Sequence, residues 1–188
     1  FFAILLLSPV LVPLIILLRF TGEGYVFYKQ ERIGLNEKPF YLIKFATMFV
    51  DSPNMEGGNI TSKNDPRILP IGNILRKYKI NELPQIINVF IGEMSIIGRR
   101  PTVKEHFEFY DKEIIDIIKN NKPGLSGISS IIFSDEEKYF KSKNSEKNKQ
   151  FYRNDIAPFK GALEVWYSRN QSSLKDMVLI ILTLFSII

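Results

Sequence analysis

The sequence contains no cysteine and only one histidine, His106, among its 188 residues. Disulfides and thiolate metal sites are therefore excluded, and any bound metal must be held mainly by oxygen ligands, which favours a hard ion such as Mg²⁺. Acidic residues are also outnumbered: there are 25 lysines and arginines against 20 aspartates and glutamates, for a net charge of +5. Anionic partners are favoured, whether phosphates, acidic lipid headgroups or nucleic acid, and charge alone does not choose among them.

Charge is missing altogether from residues 1–18, an apolar run long enough to be a membrane-helix candidate. Ser8 and Pro9 lie at its midpoint and Pro13 follows one turn later, so we expect a kink near Ser8, whose hydroxyl can satisfy a carbonyl freed by proline. Two half-helices of about nine residues would each be only ~13 Å long, so the segment can enter one leaflet and return. A kinked helix that spans the bilayer is the alternative, and the run taken by itself favours it.

The remaining length suits one domain with a sizeable core. Two runs rich in aromatic and β-branched residues, 25–28 and 40–45, flank a turn at 34–37 and predict a β-hairpin.

A surface loop is predicted at 51–70, because this segment is rich in glycine, proline, asparagine and serine. Within it, Lys63, Asp65 and Arg67 are charged residues that can contact an anionic ligand. A solvated loop is the alternative explanation for each of them.

Helices are predicted over 71–78, 82–90 and 102–119, the last from apolar residues at i, i+3 and i+4 spacing. The polar, lysine-rich segment 135–154 predicts a solvated helix or a flexible excursion. The apolar run 177–188 is short of a membrane span and predicts an interfacial or core helix.

The stretch 76–101 combines three signals: cations that begin with Arg76, the adjacent Asn81 and Glu82, and a Gly-Arg-Arg-Pro turn. We expect Asn81 near the N-cap of the following helix and Glu82 in its first turn, at the positive end of the helix dipole. A fixed carboxylate flanked by arginines suits a phosphorylated ligand. The alternative is a buried helix with an Asn-Glu cap and a tight turn. The apolar residues expected to be buried around these groups are Ile86, Ile87, Val89, Phe90, Ile96 and Ile97.

Six motifs follow one another along nearly the whole chain: Ser8-Pro9, FYKQERIG at 27–34, KFATM at 44–48, NELPQ at 81–85, GEMSIIGRRP at 92–101 and KPGLSG at 122–127. Together they resemble the bacterial sugar transferases, the monotopic polyprenyl-phosphate phosphoglycosyl transferases that begin the assembly of O-antigen, capsule or glycoprotein glycans. The order and extent of the likeness make it more specific than any single motif.

The resemblance implies an α+β, mainly helical protein in two parts. Residues 1–20 would form a re-entrant helix-break-helix membrane anchor, broken at Ser8 and Pro9. Residues 21–188 would form a small globular transferase domain with a short β-hairpin. The implied location is the cytoplasmic face of the bacterial inner membrane, in lipopolysaccharide or exopolysaccharide biosynthesis.

The implied reaction transfers a sugar phosphate from a UDP-sugar to undecaprenyl phosphate and releases UMP. In the family an aspartate and a glutamate work with Mg²⁺, and the aspartate attacks the phosphate nearer the sugar to give a phosphosugar-enzyme intermediate. The catalytic positions carried over are Asn81 and Glu82, with Glu82 as the Mg²⁺ ligand. The implied partners are a UDP-sugar, undecaprenyl phosphate and membrane lipid, with a homodimer left open and nucleic acid not expected. The expected phosphate-binding cations are Arg76, Arg100, Lys44 and Arg32.

Three residues depart from the family pattern. Asn81 stands at the aspartate position, and a neutral carboxamide cannot replace a carboxylate nucleophile; Arg99 stands where proline is usual, and Ala46 where arginine is common. Three explanations stay open. The first step is lost, which leaves a catalytically impaired scaffold or ligand-binding partner in a glycan assembly complex; another carboxylate, Glu82 or Glu93, attacks; or the acceptor phosphate attacks the UDP-sugar directly. A variant that keeps the overall reaction is the favoured interpretation.

Overall fold

The computed structural model describes residues 2–55, 60–62, 64–140 and 145–186, which form a mixed α/β structure with predominant helices and small sheets. The strands are β1 (Phe27–Ile33), β2 (Pro39–Phe45), β3 (Ser95–Ile97) and β4 (Gly124–Ser126). The helices are α1 (Phe2–Arg19), α2 (Pro70–Lys77), α3 (Gln85–Phe90), α4 (Lys104–Phe107), α5 (Lys112–Ile118), α6 (Ile128–Ile132), α7 (Ser145–Phe151), α8 (Ala157–Arg169) and α9 (Ser173–Ser186). Short 3₁₀ turns lie at Leu35–Glu37, Ile80–Glu82 and Glu136–Tyr139, and a π-helical turn at Tyr152–Ile156 joins α7 to α8.

The predicted hairpin is confirmed, with a first strand that extends to Ile33. β1 and β2 pair in antiparallel register around the 3₁₀ turn, where Asn36 adopts a left-handed φ of 52° that asparagine tolerates better than most residues. Lys44 pairs with Tyr28, and Arg32 lies four residues further along β1. Because side chains alternate along a strand, Arg32 and Lys44 project from the same face of the hairpin.

Glycines allow the second sheet to bring together the motifs at 92–101 and 122–127. β3 and β4 pair in parallel, and a further bridge joins Arg99, after β3, to Pro123, just before β4. A Cβ atom at Gly124 would lie 2.2 Å from the Gly98 nitrogen, and one at Gly127 would lie 2.0 Å from the Gly98 oxygen. Only glycine fits such a close backbone approach, so this junction fixes the turn that carries Arg100.

α1 is one continuous helix that includes Pro9 and Pro13. Pro9 has no N–H to donate to the carbonyl of Leu5, and the Ser8 hydroxyl donates to that oxygen instead at 2.7 Å, as the sequence predicts. A break into two half-helices is not confirmed, and the re-entrant anchor and its boundary at residue 20 stay predictions. Within the described ranges, no helix combines the length and apolar character needed to cross a bilayer.

The helix predicted over 82–90 begins later than expected. Ile80–Glu82 is a 3₁₀ turn, and α3 starts at Gln85 after Pro84 at its N-cap, so Asn81 and Glu82 precede the helix. The predicted burial is wrong for Phe90 and Ile96, which are 58% and 53% exposed.

Asn88 explains why a polar face of α3 is buried. The Ile43 N–H donates to Asn88 Oδ1 at 3.1 Å, and Asn88 Nδ2 donates to the Tyr41 carbonyl and to Glu93, both at 2.8 Å. The fully buried amide therefore bonds the backbone of β2 as a neighbouring strand would.

Two further predictions need correction. The single helix expected over 102–119 is divided, because α4 ends at Phe107 and α5 begins after Asp111 in an extended conformation. The segment 135–154 is not simply solvated, since it contributes buried aromatic residues to the main core. That core lies between the 107–118 region and α8, and its buried members include Phe107, Tyr110, Ile118, Phe133, Phe140, Tyr152 and Ala157.

Candidate active site

A cavity of about 620 Å³ is lined by the hairpin, the Ile80–Glu82 turn and the segment that leads to α8. Positive charge dominates its wall over the described part of the chain, and such a partly enclosed surface suits a polyanion such as a diphosphate. Its carboxylates are Glu82, Asp135, Glu136 and Glu137. Its cations are Lys29, Arg32, Lys44, Arg67, Arg76, Lys77, Lys79, Arg100, Lys138 and Lys160.

Glu82 is the carboxylate most strongly influenced by these cations. Lys44 Nζ lies 3.4 Å from Glu82 Oε1, and both side chains are partly buried. Burial by itself would raise the pKa of the Glu82 carboxyl, but the charges of Lys44, Arg100 and Lys79 outweigh it and lower the pKa to about 2. Glu82 is therefore ionised throughout the physiological pH range.

The hairpin cations are crowded and only partly neutralised. Burial lowers the pKa of Lys44 to about 8, although Glu82 opposes the shift. Burial and the neighbouring Arg100 lower the pKa of Arg32 to about 10. Arg32 donates to Gln30 and, at 3.1 Å, to the Pro101 carbonyl. An anion bound among these groups would supply the missing negative charge and stabilise their protonated forms.

Asn81 contributes an unsatisfied oxygen to the same wall. The residue is 5% exposed, and its Oδ1 atom is buried without a hydrogen-bond partner among the described residues. Mg²⁺ prefers oxygen ligands and commonly takes one or two carboxylates together with substrate phosphates. The described ranges contain no cluster of three or more histidine, cysteine, aspartate or glutamate side chains arranged for a metal. The oxygen donors present are Asn81 Oδ1 and the Glu82 carboxylate. They fit an ion whose remaining ligands come from a substrate phosphate and water.

Two of the three arginines of the 76–101 stretch, Arg76 and Arg100, contact residues from much later in the chain. Arg76 forms an ion pair with Glu137. Arg100 Nη1 lies 3.4 Å from the Ser130 hydroxyl. Arg76 is therefore already paired with a carboxylate, whereas the contact of Arg100 is to a neutral hydroxyl.

One end of the cavity is aromatic. Lys160, which is 1% exposed, lies there with its Nζ 2.6 Å from Glu136 Oε1 and 5.0 Å from the ring centroids of Phe133 and Tyr152. Burial lowers the pKa of Lys160 to about 8, against the opposing charge of Glu136. His106 stacks on Tyr152 at a centroid distance of 4.3 Å. This end offers ring faces beside a buried cation.

The sequence matches the bacterial sugar transferase family over residues 1–188. The chain belongs to the bacterial sugar transferase family. Among its relatives, the exopolysaccharide production protein ExoY of Rhizobium meliloti (strain 1021) is 32% identical over 196 residues, which cover 97% of this chain and 78% of that protein.

Two longer relatives carry the name of a reaction. The UDP-glucose:undecaprenyl-phosphate glucose-1-phosphate transferase of Escherichia coli (strain K12) is 38% identical over 68% of this chain and 28% of its own length. The UDP-N-acetylgalactosamine-undecaprenyl-phosphate N-acetylgalactosaminephosphotransferase of Aeromonas hydrophila is 33% identical over 69% of this chain and 31% of its own length. The chain thus spans most of ExoY and less than a third of these two bacterial sugar transferases.

The structure brings the six positions predicted for catalysis and phosphate binding in this sugar transferase into one cavity. Glu93, the other carboxylate considered as a nucleophile, is absent from the cavity wall and accepts a hydrogen bond from Asn88. The six positions are Asn81, Glu82, Arg76, Arg100, Lys44 and Arg32.

The charged residues of the predicted loop have different outcomes. Arg67 is 2% exposed and is held by Asp65 at 2.9 and 2.6 Å and by the Ile60 carbonyl at 3.0 Å, which gives it a structural role in the loop. Lys63 lies outside the described residues.

Sequence reasoning missed Lys160, Glu136 and Glu137. A signal for Lys160 exists in α8, because Lys160 and Glu164 lie four residues apart on the helical face that also carries Ala157 and Gly161. Charged residues on an otherwise small and apolar face indicate buried, partnered groups. Nothing comparable marks the two glutamates, which lie in a polar segment whose packing depends on the fold.

Proposed function

We propose that this chain transfers a sugar phosphate from a UDP-sugar to undecaprenyl phosphate and releases UMP, as the first membrane step of exopolysaccharide or related glycan biosynthesis. The observation that carries this proposal is an ionised Glu82 beside Lys44 and Arg100 in a strongly cationic cavity. Family membership and the named reactions of the relatives support it. UDP-glucose and UDP-N-acetylgalactosamine are the first donors to examine.

The cations would bind the donor diphosphate and the acceptor phosphate. Lys44 and Arg32 approach from one face of the hairpin, and Arg100 approaches from the glycine-anchored turn. Arg76 would exchange Glu137 for a phosphate oxygen, a replacement of one anion by another. Their fixed charges stabilise the negative charge that develops on the departing UMP phosphate.

Mg²⁺ is the proposed cofactor, and Asn81 Oδ1 with the Glu82 carboxylate would hold it. When bound, the ion would neutralise phosphate charge and favour departure of the leaving group. The low pKa of Glu82 keeps that carboxylate available as a ligand without prior loss of a proton.

The acceptor phosphate is the attacking group in the route we favour. The Asn81 carboxamide is not a nucleophile. Lys44, Arg100 and Lys79 stabilise the Glu82 carboxylate, so Glu82 is a weakly basic and therefore poor nucleophile. An oxygen of undecaprenyl phosphate would form a bond to the phosphorus nearer the sugar. The bond from that phosphorus to the bridging oxygen would break, and UMP would leave with this oxygen. Intact mass distinguishes the routes, because attack by Glu82 leaves a phosphosugar-protein adduct and direct attack leaves none.

A membrane surface at the cytoplasmic face of the inner membrane is the proposed location. Support comes from apolar side chains that the described structure leaves exposed on three helices, since exposed apolar surface of this kind suits a membrane interface. They include Val12 and Ile16 of α1, Phe90 and Ile91 at the end of α3, and Leu174, Met177, Ile181, Leu184 and Phe185 of α9.

The test is UMP release by the purified chain in lipid, with Mg²⁺, undecaprenyl phosphate and a panel of UDP-sugars. We expect release with at least one donor and no release when the acceptor is omitted. Absence of UMP across the panel, with a related transferase active in the same lipid, would contradict the proposal.

The second candidate is a non-catalytic ligand-binding partner in a glycan assembly complex. Asn81 at the nucleophile position favours it. Conversion of Asn81 to aspartate separates the two functions: a large gain of UMP release from an inactive protein supports the second candidate, whereas little change from an active protein supports direct transfer.

A further inference from the structure

Glu164 is a buried carboxylate to which the proposed reaction gives no role. It lies on α8, is 3% exposed, and is absent from the cavity wall. The Arg100 backbone N–H donates to Glu164 Oε1 at 2.9 Å, and the Ser129 hydroxyl donates to the same oxygen. Glu164 Oε2 is buried without a hydrogen-bond partner in the part of the chain described.

A carboxylate in this position costs free energy, because it is buried and one of its oxygens has no hydrogen-bond partner in the part of the chain described. Burial raises the pKa of Glu164, although the bonds from Arg100 and Ser129 and the charge of Arg99 oppose that shift. An apolar side chain would fill the same space against α6 without this cost. The role of Glu164 is therefore sought in the two groups that it binds.

Those bonds converge on the residue that extends into the cavity. Glu164 holds the backbone of Arg100, and it also holds Ser129, the neighbour of the Ser130 hydroxyl that Arg100 Nη1 contacts. A single carboxylate thus fixes both the main chain that carries the guanidinium and the short helix that receives it.

The preceding residue fixes the turn from the opposite side. Arg99 Nη2 donates to the carbonyls of Ile33 and Gly34 at 2.9 and 2.8 Å, and Arg99 Nε donates to the Asn121 carbonyl at 3.2 Å. The turn is therefore bonded to the hairpin through Arg99 and to α8 through Glu164, which fixes the backbone from which the Arg100 side chain extends.

We propose that Glu164 is a positioning residue that holds the Arg100 guanidinium in place for the substrate phosphates. This inference rests on the proposed function, because it assumes that Arg100 contacts the donor diphosphate. Glu164 acts through Arg100 and touches no substrate itself.

The test is a double-mutant cycle on UDP affinity, measured by calorimetry with the full chain in detergent. We expect Glu164→Ala to weaken UDP binding about tenfold, the scale of one lost charge-assisted hydrogen bond. In an Arg100→Gln background the same change should weaken binding less than twofold, because the side chain to be positioned is gone. Glu164→Gln, which keeps one acceptor oxygen, should restore much of the affinity. Asp155→Asn, an exposed carboxylate between α7 and α8, is the control and should bind as the wild type does.

The outcomes separate the two proposals. Normal UDP binding by Glu164→Ala, or an equal loss in both backgrounds, overturns the positioning role while the proposed function stands. Normal UDP binding by Arg100→Gln overturns the phosphate contact on which both depend. Should Glu164→Ala fail to fold, Glu164→Met, which fills the same space without an acceptor oxygen, takes its place in the cycle with Arg100→Gln.

Discussion

Among single residues, Glu82 has the strongest link between environment and proposed chemistry. Its side chain is partly buried, yet Lys44, Arg100 and Lys79 keep the carboxyl ionised. Glu82→Gln retains the size of the side chain and removes the charge that would hold Mg²⁺ and balance these cations. We expect UMP release to fall about 100-fold or more, on the scale of losing one transition-state contact.

The matched control for Glu82 is Glu93→Gln, since Glu93 lies in the same stretch but not on the cavity wall. Its UMP release should stay within a few-fold of the wild type in the same assay. Equal losses in the two variants would show that the effect reports stability and not a role in the cavity.

His106 provides a second residue-scale prediction, because it is the only histidine in the chain. Burial lowers its pKa to about 4, although Glu105 opposes the shift. The unfolded chain therefore binds a proton between about pH 6.5 and pH 4 that the folded protein does not, and the free energy of unfolding falls as the pH drops through this window. The contribution is up to ~3 kcal/mol.

Replacement of His106 by phenylalanine should flatten that pH dependence and keep the stacked contact with Tyr152. Denaturant unfolding of both proteins between pH 4.5 and pH 6.5 measures it, and the contribution of Glu82 cancels because it is the same in the two proteins. A slope that is the same in both proteins would show that His106 is already charged in the folded state.

At the scale of helices and strands, residue patterns predicted correctly the features that depend on contacts between residues close in sequence. Two runs of aromatic and β-branched residues around a turn identified the hairpin, and Ser8 was correctly expected to satisfy the carbonyl that Pro9 frees. The buried face of α3 was mispredicted, because Asn88 bonds the backbone of β2, a contact between residues 45 positions apart. No local pattern reveals that a polar side chain will be buried for such a partner.

The residues of the candidate site fall into the same two groups, those predicted from the sequence and those placed by long-range packing. The motif-borne residues around Glu82 could be identified from the sequence, whereas Glu136, Glu137 and Lys160 enter the cavity through the packing of α8 on the main core. Spacing along α8 indicates that Lys160 is buried, but its place in the cavity and those of Glu136 and Glu137 depend on long-range contacts.

The junction between β3 and β4 makes an element-scale prediction. A methyl group at position 124 would lie 2.2 Å from the Gly98 nitrogen, which neither backbone can relieve without moving. We expect Gly124→Ala to lower the free energy of unfolding by about 1–3 kcal/mol or more and to reduce UMP release, because the turn that carries Arg100 would shift. Thermal unfolding and the release assay measure the two effects. Lys122→Ala, an exposed neighbour, should change neither, and a stable, active Gly124→Ala protein would contradict the close packing.

At the scale of the whole molecule, the proposed membrane location makes a prediction for α1. The helix is continuous from Phe2 to Arg19, and its apolar sequence holds two prolines. Its second half packs on the globular part through Leu14, Ile15 and Leu18, against Phe45 and Leu75. A re-entrant arrangement in the membrane would need a bend near Pro9 that returns both ends of the segment to one face.

The absence of cysteine makes this arrangement directly measurable, since a single introduced cysteine is the only thiol. We expect an impermeant maleimide to label cysteine at position 2 and at position 20 from the cytoplasmic side of membrane vesicles, and to leave cysteine at position 10 unlabelled. The reason is that Pro9 lies midway along the helix, so a segment that enters and leaves through one leaflet is deepest there. A cysteine at Glu113 on α5 serves as the cytoplasmic control. Labelling of positions 2 and 20 from opposite sides would establish a spanning helix and contradict the re-entrant anchor, while leaving the phosphate-binding cavity unaffected.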